Sequence, residues 1–152
     1  MSAQSDEFWM QQALHQAQLA AQAQEVPVGA VIVHNNVCVG VGYNQQLTTN
    51  DPSAHAEIVA LRCAATRLNN YRLTGATLYV TIEPCTMCFG AMIHARIKRL
   101  VYAAKEPRAG VVSSQVNLAE AAFYNHTIDV CGGVLAEAAA EKMQSFFRVR
   151  RK

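Results

Sequence analysis

Polar and apolar positions along the chain change period several times, and each change marks an element. From Asp6 to about Gln24, alanines and glutamines mix at helical spacing. Phe8, Leu14, Ala17 and Ala21 fall near one stripe while glutamines cover the other faces, which predicts a packed helix. Gly29 to Val33 and Val37 to Tyr43 are β-branched runs separated by His34-Asn35-Asn36. Adjacent asparagines tolerate the positive φ that a tight hairpin needs, so these runs predict an antiparallel pair. Asp51-Pro52-Ser53 supplies helix-start chemistry before a periodic run from Ala54 to Leu68, with Ile58, Leu61 and Ala65 on one side. Thr77 to Ile82 predicts a strand that Glu83-Pro84 breaks, Cys85 to Ala95 a helix, and Leu100 to Ala104 another strand. Beyond a loop from Lys105 to Gln115, a short strand at Thr127 to Val130 precedes Gly132-Gly133, and Leu135 to Arg148 predicts a closing helix. Alternating strands and helices call for parallel pairing with helices over the sheet faces, so the fold class is a single α/β sandwich.

At 152 residues, with 51% hydrophobic and 16% charged positions, the chain has the size and core of one domain, residues 1–152. No run of eighteen apolar residues occurs, so no membrane span is expected. The start Met1-Ser2-Ala3-Gln4-Ser5-Asp6-Glu7 lacks the basic and apolar regions of a signal peptide, and the expected compartment is the cytoplasm. Five cysteines, an odd number, suit a reducing compartment in which thiols stay free for metal. Of these, Cys38, Cys63 and Cys131 lie in apolar contexts and are expected to be small buried hydrophobes. The net charge of +2 is too small to announce a nucleic-acid binder, but Arg148, Arg150, Arg151 and Lys152 crowd the last positions.

Two short motifs carry the candidate chemistry. His55-Ala56-Glu57 offers an imidazole with a carboxylate two residues on, and Pro84-Cys85-Thr86-Met87-Cys88 offers two sulfurs that project from one face of a helical turn. Either alone is ambiguous, since a C-x-x-C also serves as a redox pair and an H-x-E arises on helix surfaces without purpose. Together they provide three soft ligands, both motifs lying at predicted helix starts where N–H groups and the dipole favour thiolate. A structural zinc site closes its tetrahedron with a fourth Cys or His, whereas His55, Cys85 and Cys88 leave a position for water. The set therefore predicts one catalytic Zn²⁺ per chain, with Glu57 as the neighbouring base. His15, His34, His94 and His126 read as surface or packing residues.

These motifs, with Glu25-Val26-Pro27-Val28-Gly29-Ala30, Asn44, Asp51-Pro52-Ser53-Ala54, Thr81-Ile82-Glu83 and Phe146-Phe147-Arg148-Val149-Arg150-Arg151, resemble the bacterial tRNA-specific adenosine deaminases, within the cytidine/deoxycytidylate deaminase-like zinc enzymes. The resemblance spans almost the whole chain and is weakest between Glu106 and Asn125. It implies a three-layer α/β/α cytidine deaminase-like fold with a five-stranded mixed sheet. It also implies zinc-dependent hydrolytic deamination of adenosine to inosine at the wobble position of a tRNA anticodon loop, with Glu57 moving every proton. By the same resemblance Asn44, Val28, Ala56 and Glu106 bind substrate, Phe146, Phe147, Arg148 and Arg150 meet the RNA, and Asn125 and His126 lie near the RNA-facing loop. A homodimer is implied, with the helix after Cys88 near the second subunit. The chain departs from the family pattern at Glu106-Pro107-Arg108-Ala109-Gly110 and Val111-Val112-Ser113-Ser114, and again where Glu120-Ala121-Ala122 replaces a His-His-Pro stretch. These changes are expected on the surface that meets the anticodon loop.

Zinc chemistry does not by itself choose among amino-substituted bases; pocket walls and outer surface do. Val26-Pro27-Val28-Gly29-Ala30 differs from the Pro-Phe-Gly-Ala of guanine deaminases. An aromatic pair flanked by arginines also suits single-stranded RNA, since bases stack on phenylalanine while guanidinium groups hold phosphate. The alternative is a terminal amphipathic helix that buries its phenylalanines. Deamination of tRNA adenosine is the favoured reading. A deaminase of free nucleobases or nucleosides, of guanine or cytosine type, and a non-catalytic RNA-binding zinc module are the alternatives.

Overall fold

The computed structural model describes residues 3–150. Helix α1 (Asp6–Gln22) is capped by Ser5, whose hydroxyl accepts from Phe8 N at 3.1 Å, and carries Asp6 and Glu7 at its positive end. Strands β1 (Gly29–His34) and β2 (Val37–Tyr43) form the expected hairpin, turning through Asn35 and Asn36 at φ 52° and 60°. There follow a four-residue helix α2 (Gln46–Thr49), α3 (Ala56–Leu68), β3 (Thr77–Ile82), α4 (Thr86–His94) and β4 (Arg99–Ala104). A 3₁₀ turn (Leu118–Glu120), β5 (Asp129–Gly132) and α5 (Ala136–Arg150) complete the chain.

The sheet runs β2-β1-β3-β4-β5, with β1 antiparallel to β2 and β3, and β3, β4 and β5 parallel. It is the five-stranded mixed sheet that the resemblance implied. Period-two alternation feeds both faces. Ala30, Ile32, Leu78, Val80, Leu100 and Tyr102 pack with α3 and α4, while Val31, Val33, Tyr79, Val101 and Ala103 pack with α1 and α5. Burying each aliphatic side chain is worth about 1.5–3 kcal/mol, so both helix layers are held by the sheet. On the second face Asp6 is clamped by Arg99, Nη1 to Oδ1 at 2.7 Å and Nη2 to Oδ2 at 2.6 Å, and by the Tyr79 hydroxyl at 2.8 Å. That bidentate pair ties the start of α1 to β3 and β4.

Two glycines set where α3 lies. A Cβ added at Gly40 would stand 2.6 Å from the Ala60 carbonyl oxygen and one at Gly42 2.5 Å from that of Ala56, so only bare backbone lets α3 approach β2 this closely. Ala56, Ala60 and Ala64 face them, all fully buried. The start of α3, with His55 and Glu57, is thereby fixed against the end of β2.

Several expectations need correction. The buried stripe of α1 is Met10, Ala13, Leu14, Ala17 and Ala20 with Trp9, while Phe8 is exposed and Ala21 half-buried. Cys63 is exposed, on the outer face of α3; Cys38 and Cys131 are half-buried. Asp51-Pro52-Ser53 does not start the helix directly. Asp51 Oδ1 accepts from Ser53 N at 2.9 Å and Ser53 Oγ at 2.7 Å, closing a turn, and α3 begins only at Ala56. The last strand lies two residues later than expected, at Asp129–Gly132. Among the described residues no helix is long and apolar enough to cross a membrane.

Candidate active site

Two helix starts converge beyond the ends of β2 and β3. His55 is the N-cap residue of α3 and Cys85 that of α4, both with extended backbone, and neither side chain caps its own helix. Freed from capping, they turn towards each other. Cys88, in the first turn of α4 and fully buried, joins them. His55 Nδ1 lies 3.7 Å from Cys85 Sγ and 3.5 Å from Cys88 Sγ, and the three ligand atoms all fall within 4.8 Å of one another. Bond lengths of about 2.3 Å to sulfur and 2.0–2.1 Å to nitrogen make the N–S edge of a zinc tetrahedron about 3.6 Å long. The donor set and its spacing fit Zn²⁺, one per chain.

Charges at the site respond to burial and to one another. The Cys88 thiol, donating to Cys85, together with the His55 ring lowers the Cys85 thiol to about 4 against the burial that raises it. Cys88 is correspondingly pushed up by that bond and by burial, and His55 is raised chiefly by its hydrogen bond to Cys85. Glu57, 3% exposed in the first turn of α3, is raised to about 7, mainly because burial penalises its charge. A carboxyl near neutrality suits proton transfer in both directions.

A cavity of about 220 Å³ opens over these groups, lined by His55, Glu57 and Cys85 on its reactive side. It lies beyond the carboxyl ends of β3 and β4, where open α/β sheets take ligands. Asn44, Val28 and Glu106 line it. Asn44 is buried, and its Oδ1 accepts from Ala56 N at 2.8 Å, which leaves its NH₂ for the cavity. Ala56 is not brought to the wall. Its methyl is fully buried in the helix-sheet contact and its N–H is taken by Asn44, so its contribution is to the start of α3. Sequence reasoning missed Gln46, Glu83 and Met143, which also line the cavity. Glu83 stood inside a quoted motif, but Met143 comes from α5 across the fold and has no local signal.

The C-terminal residues divide. Phe146 is 9% exposed, and the Arg150 guanidinium stacks 3.6 Å above its ring centroid while Nη2 donates to Gln24 O and Oε1 at 3.2 and 2.8 Å. Apolar burial and a cation–π contact have claimed Phe146 for the fold. Phe147, 42% exposed, and Arg148 remain on the surface. Arg151 and Lys152 lie outside the described residues. Asn125 accepts from Arg96 Nη1 at 3.2 Å, and the His126 ring meets Ile97 O at 2.8 Å. The departures at Val111 and Val112 are not surface changes, since both side chains are buried in the core beneath α3 and α4.

A helix-flanked mixed sheet whose helix starts present an open His/Cys/Cys set beside a buried glutamate defines the class of zinc-dependent deaminases. Residues 3–104 match the family described as cytidine and deoxycytidylate deaminase zinc-binding region. The tRNA-specific adenosine deaminase of Haemophilus influenzae is 47% identical over 149 residues, covering 97% of this chain and 86% of that protein. That of Bacillus subtilis is 39% identical, covering 97% and 91%. A solved structure from work on A-to-I editing by tRNA:A34 deaminases at the wobble position superposes with a TM-score of 0.86 at 41% identity, covering 89% of this chain and 98% of the other. The guanine deaminase of Nitrosomonas europaea gives 0.83 at 25% identity, covering 96% and 86%. The chain belongs to the tRNA-specific adenosine deaminases, within the cytidine and deoxycytidylate deaminase zinc-binding family. It is a zinc-dependent hydrolase.

Proposed function

We propose that this protein converts adenosine to inosine at the wobble position of a tRNA anticodon loop. The observation that carries the reading is Glu57, a buried carboxyl raised to about 7, placed with the three-ligand set at one cavity. A non-catalytic zinc module has no use for a carboxyl in that place, because burying an unpaired charge is costly. His55, Cys85 and Cys88 hold the metal, which supplies a nucleophilic water by lowering its pKa towards about 7. Glu57 takes the proton of the attacking water, passes it to N1 of the purine, and delivers a proton to the leaving amine at C6. The base takes up one water and loses one ammonia: one water proton ends on N1, the other leaves with the amine, and the oxygen stays on C6. Asn44 offers its NH₂ to the base, and Val28 supplies an apolar wall.

The choice of tRNA over free bases is supported by relatives named for tRNA and by the outer rim. Glu106 flanks the cavity, and Phe147 and Arg148 lie exposed on α5, where a base can stack and a phosphate can pair. The chain acts as a single domain in the cytoplasm and as a homodimer, with α4 facing the second copy; the exposed Met87 on α4 and the exposed Phe123, whose ring packs on Tyr124 beside Phe89 of α4, support that face. Incubating the purified protein separately with bulk tRNA and with free adenine, guanine and cytosine, and assaying inosine and ammonia, tests the assignment. Ammonia from a free base and none from tRNA overturns it.

A further inference from the structure

Two buried carboxylates that the chemistry does not use stand at the cavity, Glu83 in its lining and Glu25 outside it, and each gathers donors from one wall segment. Glu25, 2% exposed, precedes β1; its Oε1 accepts from Leu47 N at 3.2 Å and its Oε2 from Thr48 N and Thr48 Oγ1, both at 2.7 Å. These donors belong to α2, whose Gln46 lines the cavity. Glu83, also 2% exposed, follows β3 and accepts from the N–H groups of Glu106 and Val112 at 3.1 Å, Ser113 at 2.8 Å and Ser114 at 2.9 Å. The Ser114 hydroxyl donates to it as well. Those donors belong to the loop whose Glu106 and Ala109 line the cavity.

Where they line the cavity, neither wall segment is anchored by buried apolar side chains. Helix α2 has four residues, none buried, and Leu47 is 73% exposed. A single helical turn of that kind does not persist in water. In the second segment Pro107, Arg108 and Ala109 are all exposed. Its backbone closes directly on the carboxylate, for a Cβ at Gly110 would run into the Glu83 carboxyl group. Both anions are satisfied by these donors, and charge-assisted bonds of this kind are about twice as strong as neutral ones.

We infer that Glu25 and Glu83 are positioning residues for the deamination: buried anions whose N–H bonds set α2 and the 106–114 loop at the spacing that the base requires. The inference rests on the cavity being where the base is held. It separates two tasks, since the metal and Glu57 stand on α3 and α4 while the walls hang from two other glutamates. Loosened walls weaken capture of the base and leave the metal set intact.

The test uses the zinc-loaded full chain as parent, Glu25→Gln and Glu83→Gln, with Thr48→Ala and Ser114→Ala as milder variants that each remove one hydroxyl donor. Glutamine keeps the shape but turns an NH₂ towards N–H donors. Amide hydrogen exchange, zinc content, KM and kcat on tRNA are measured. In the glutamine variants, exchange accelerates about tenfold or more at Leu47 and Thr48, or at Glu106, Val112, Ser113 and Ser114, with the β1 and β3 amides unchanged. KM rises about tenfold while kcat falls less than about threefold and zinc stays near one per chain. The alanine variants move KM in the same direction, by about two- to threefold. Unchanged exchange at those amides, or a loss of activity that follows melting temperature with KM fixed, overturns the inference. If a glutamine variant does not fold, the alanine variants decide, and an unmoved KM in both overturns it. A parent that leaves tRNA unaltered refutes the proposed function instead, and the exchange result still decides whether the glutamates hold the two segments.

Discussion

Replacing Asn44 by alanine tests how the reactive helix is placed. In the parent, Asn44 Oδ1 accepts from Ala56 N at 2.8 Å, in a buried setting at the first residue of α3. Alanine removes the only protein acceptor of that N–H among the described residues, and the N–H sits on the fully buried Ala56. An orphaned buried donor costs about 1–3 kcal/mol. For a domain of this size each kcal/mol is worth about 2–4 °C, so the melting temperature should fall by about 2–12 °C. The displaced helix start carries His55 and Glu57, and lost outer-shell support of a ligand typically weakens metal binding about 10- to 100-fold. Asn44→Asp keeps the acceptor at the positive end of α3 and should recover most of the stability while losing the amide donor to the base. Thermal melts and competition with a fluorescent zinc chelator read the two effects separately, and KM reads the third. An alanine variant that melts within about 1 °C of the parent with unaltered zinc affinity refutes the argument. So does an aspartate variant no better than alanine.

Elemental analysis of protein purified without chelator should find about one zinc per chain, and Cys88→Ser should lose most of it; an active Cys85–Cys88 disulfide form with no metal contradicts the site. Stability should fall in acid through Asp6, whose carboxyl the Arg99 hydrogen bond holds below its usual range, and through Glu25, where hydrogen bonds from Thr48 and Leu47 outweigh burial. Because the folded values are lowered, this stabilisation is complete above the unfolded values near 4 and drains away as pH falls from there through the folded values. Urea titrations from pH 7 to 3 should show the slope, and Asp6→Asn should flatten it; parallel curves for the two proteins refute the linkage. Phe146→Ala should cost about 3 kcal/mol or more in urea, since the ring is buried. Phe147→Ala should leave stability within about 1 kcal/mol but weaken tRNA binding by about 1–3 kcal/mol. Equal effects of the two substitutions on both readouts overturn the division of the pair.

Where local pattern decides structure, the sequence could be read directly. The β1 and β2 runs, the Asn35-Asn36 turn and the strand broken at Glu83-Pro84 each announce themselves within a few residues. The three metal ligands were legible because the spacing within each motif brings its groups to one helix start, and the parallel β3-α4-β4 unit leaves little freedom for α4. Alanine-rich α1 is legible as a helix, but its buried face only in part, Leu14 and Ala17 and not Phe8 or Ala21, since alanines give little contrast between inner and outer positions. Short α2 is invisible in the sequence because the four residues Gln46–Thr49 are too few to show a helical period; Glu25, more than twenty residues earlier, holds it. Met143 at the cavity, Arg150 stacked on Phe146 and the burial of Val111 and Val112 are likewise consequences of tertiary packing.

The central claim is that Glu57 moves the protons of a zinc-dependent deamination of tRNA adenosine. Its most direct test compares the parent with Glu57→Gln, both zinc-loaded, on bulk tRNA, with inosine at the wobble position and released ammonia quantified together. The account predicts one ammonia per inosine from the parent, and from the variant a rate at least about 10⁴-fold lower at unchanged zinc content, beyond a single acid/base step because one carboxyl serves several transfers. Turnover in the glutamine variant close to that of the parent would contradict it.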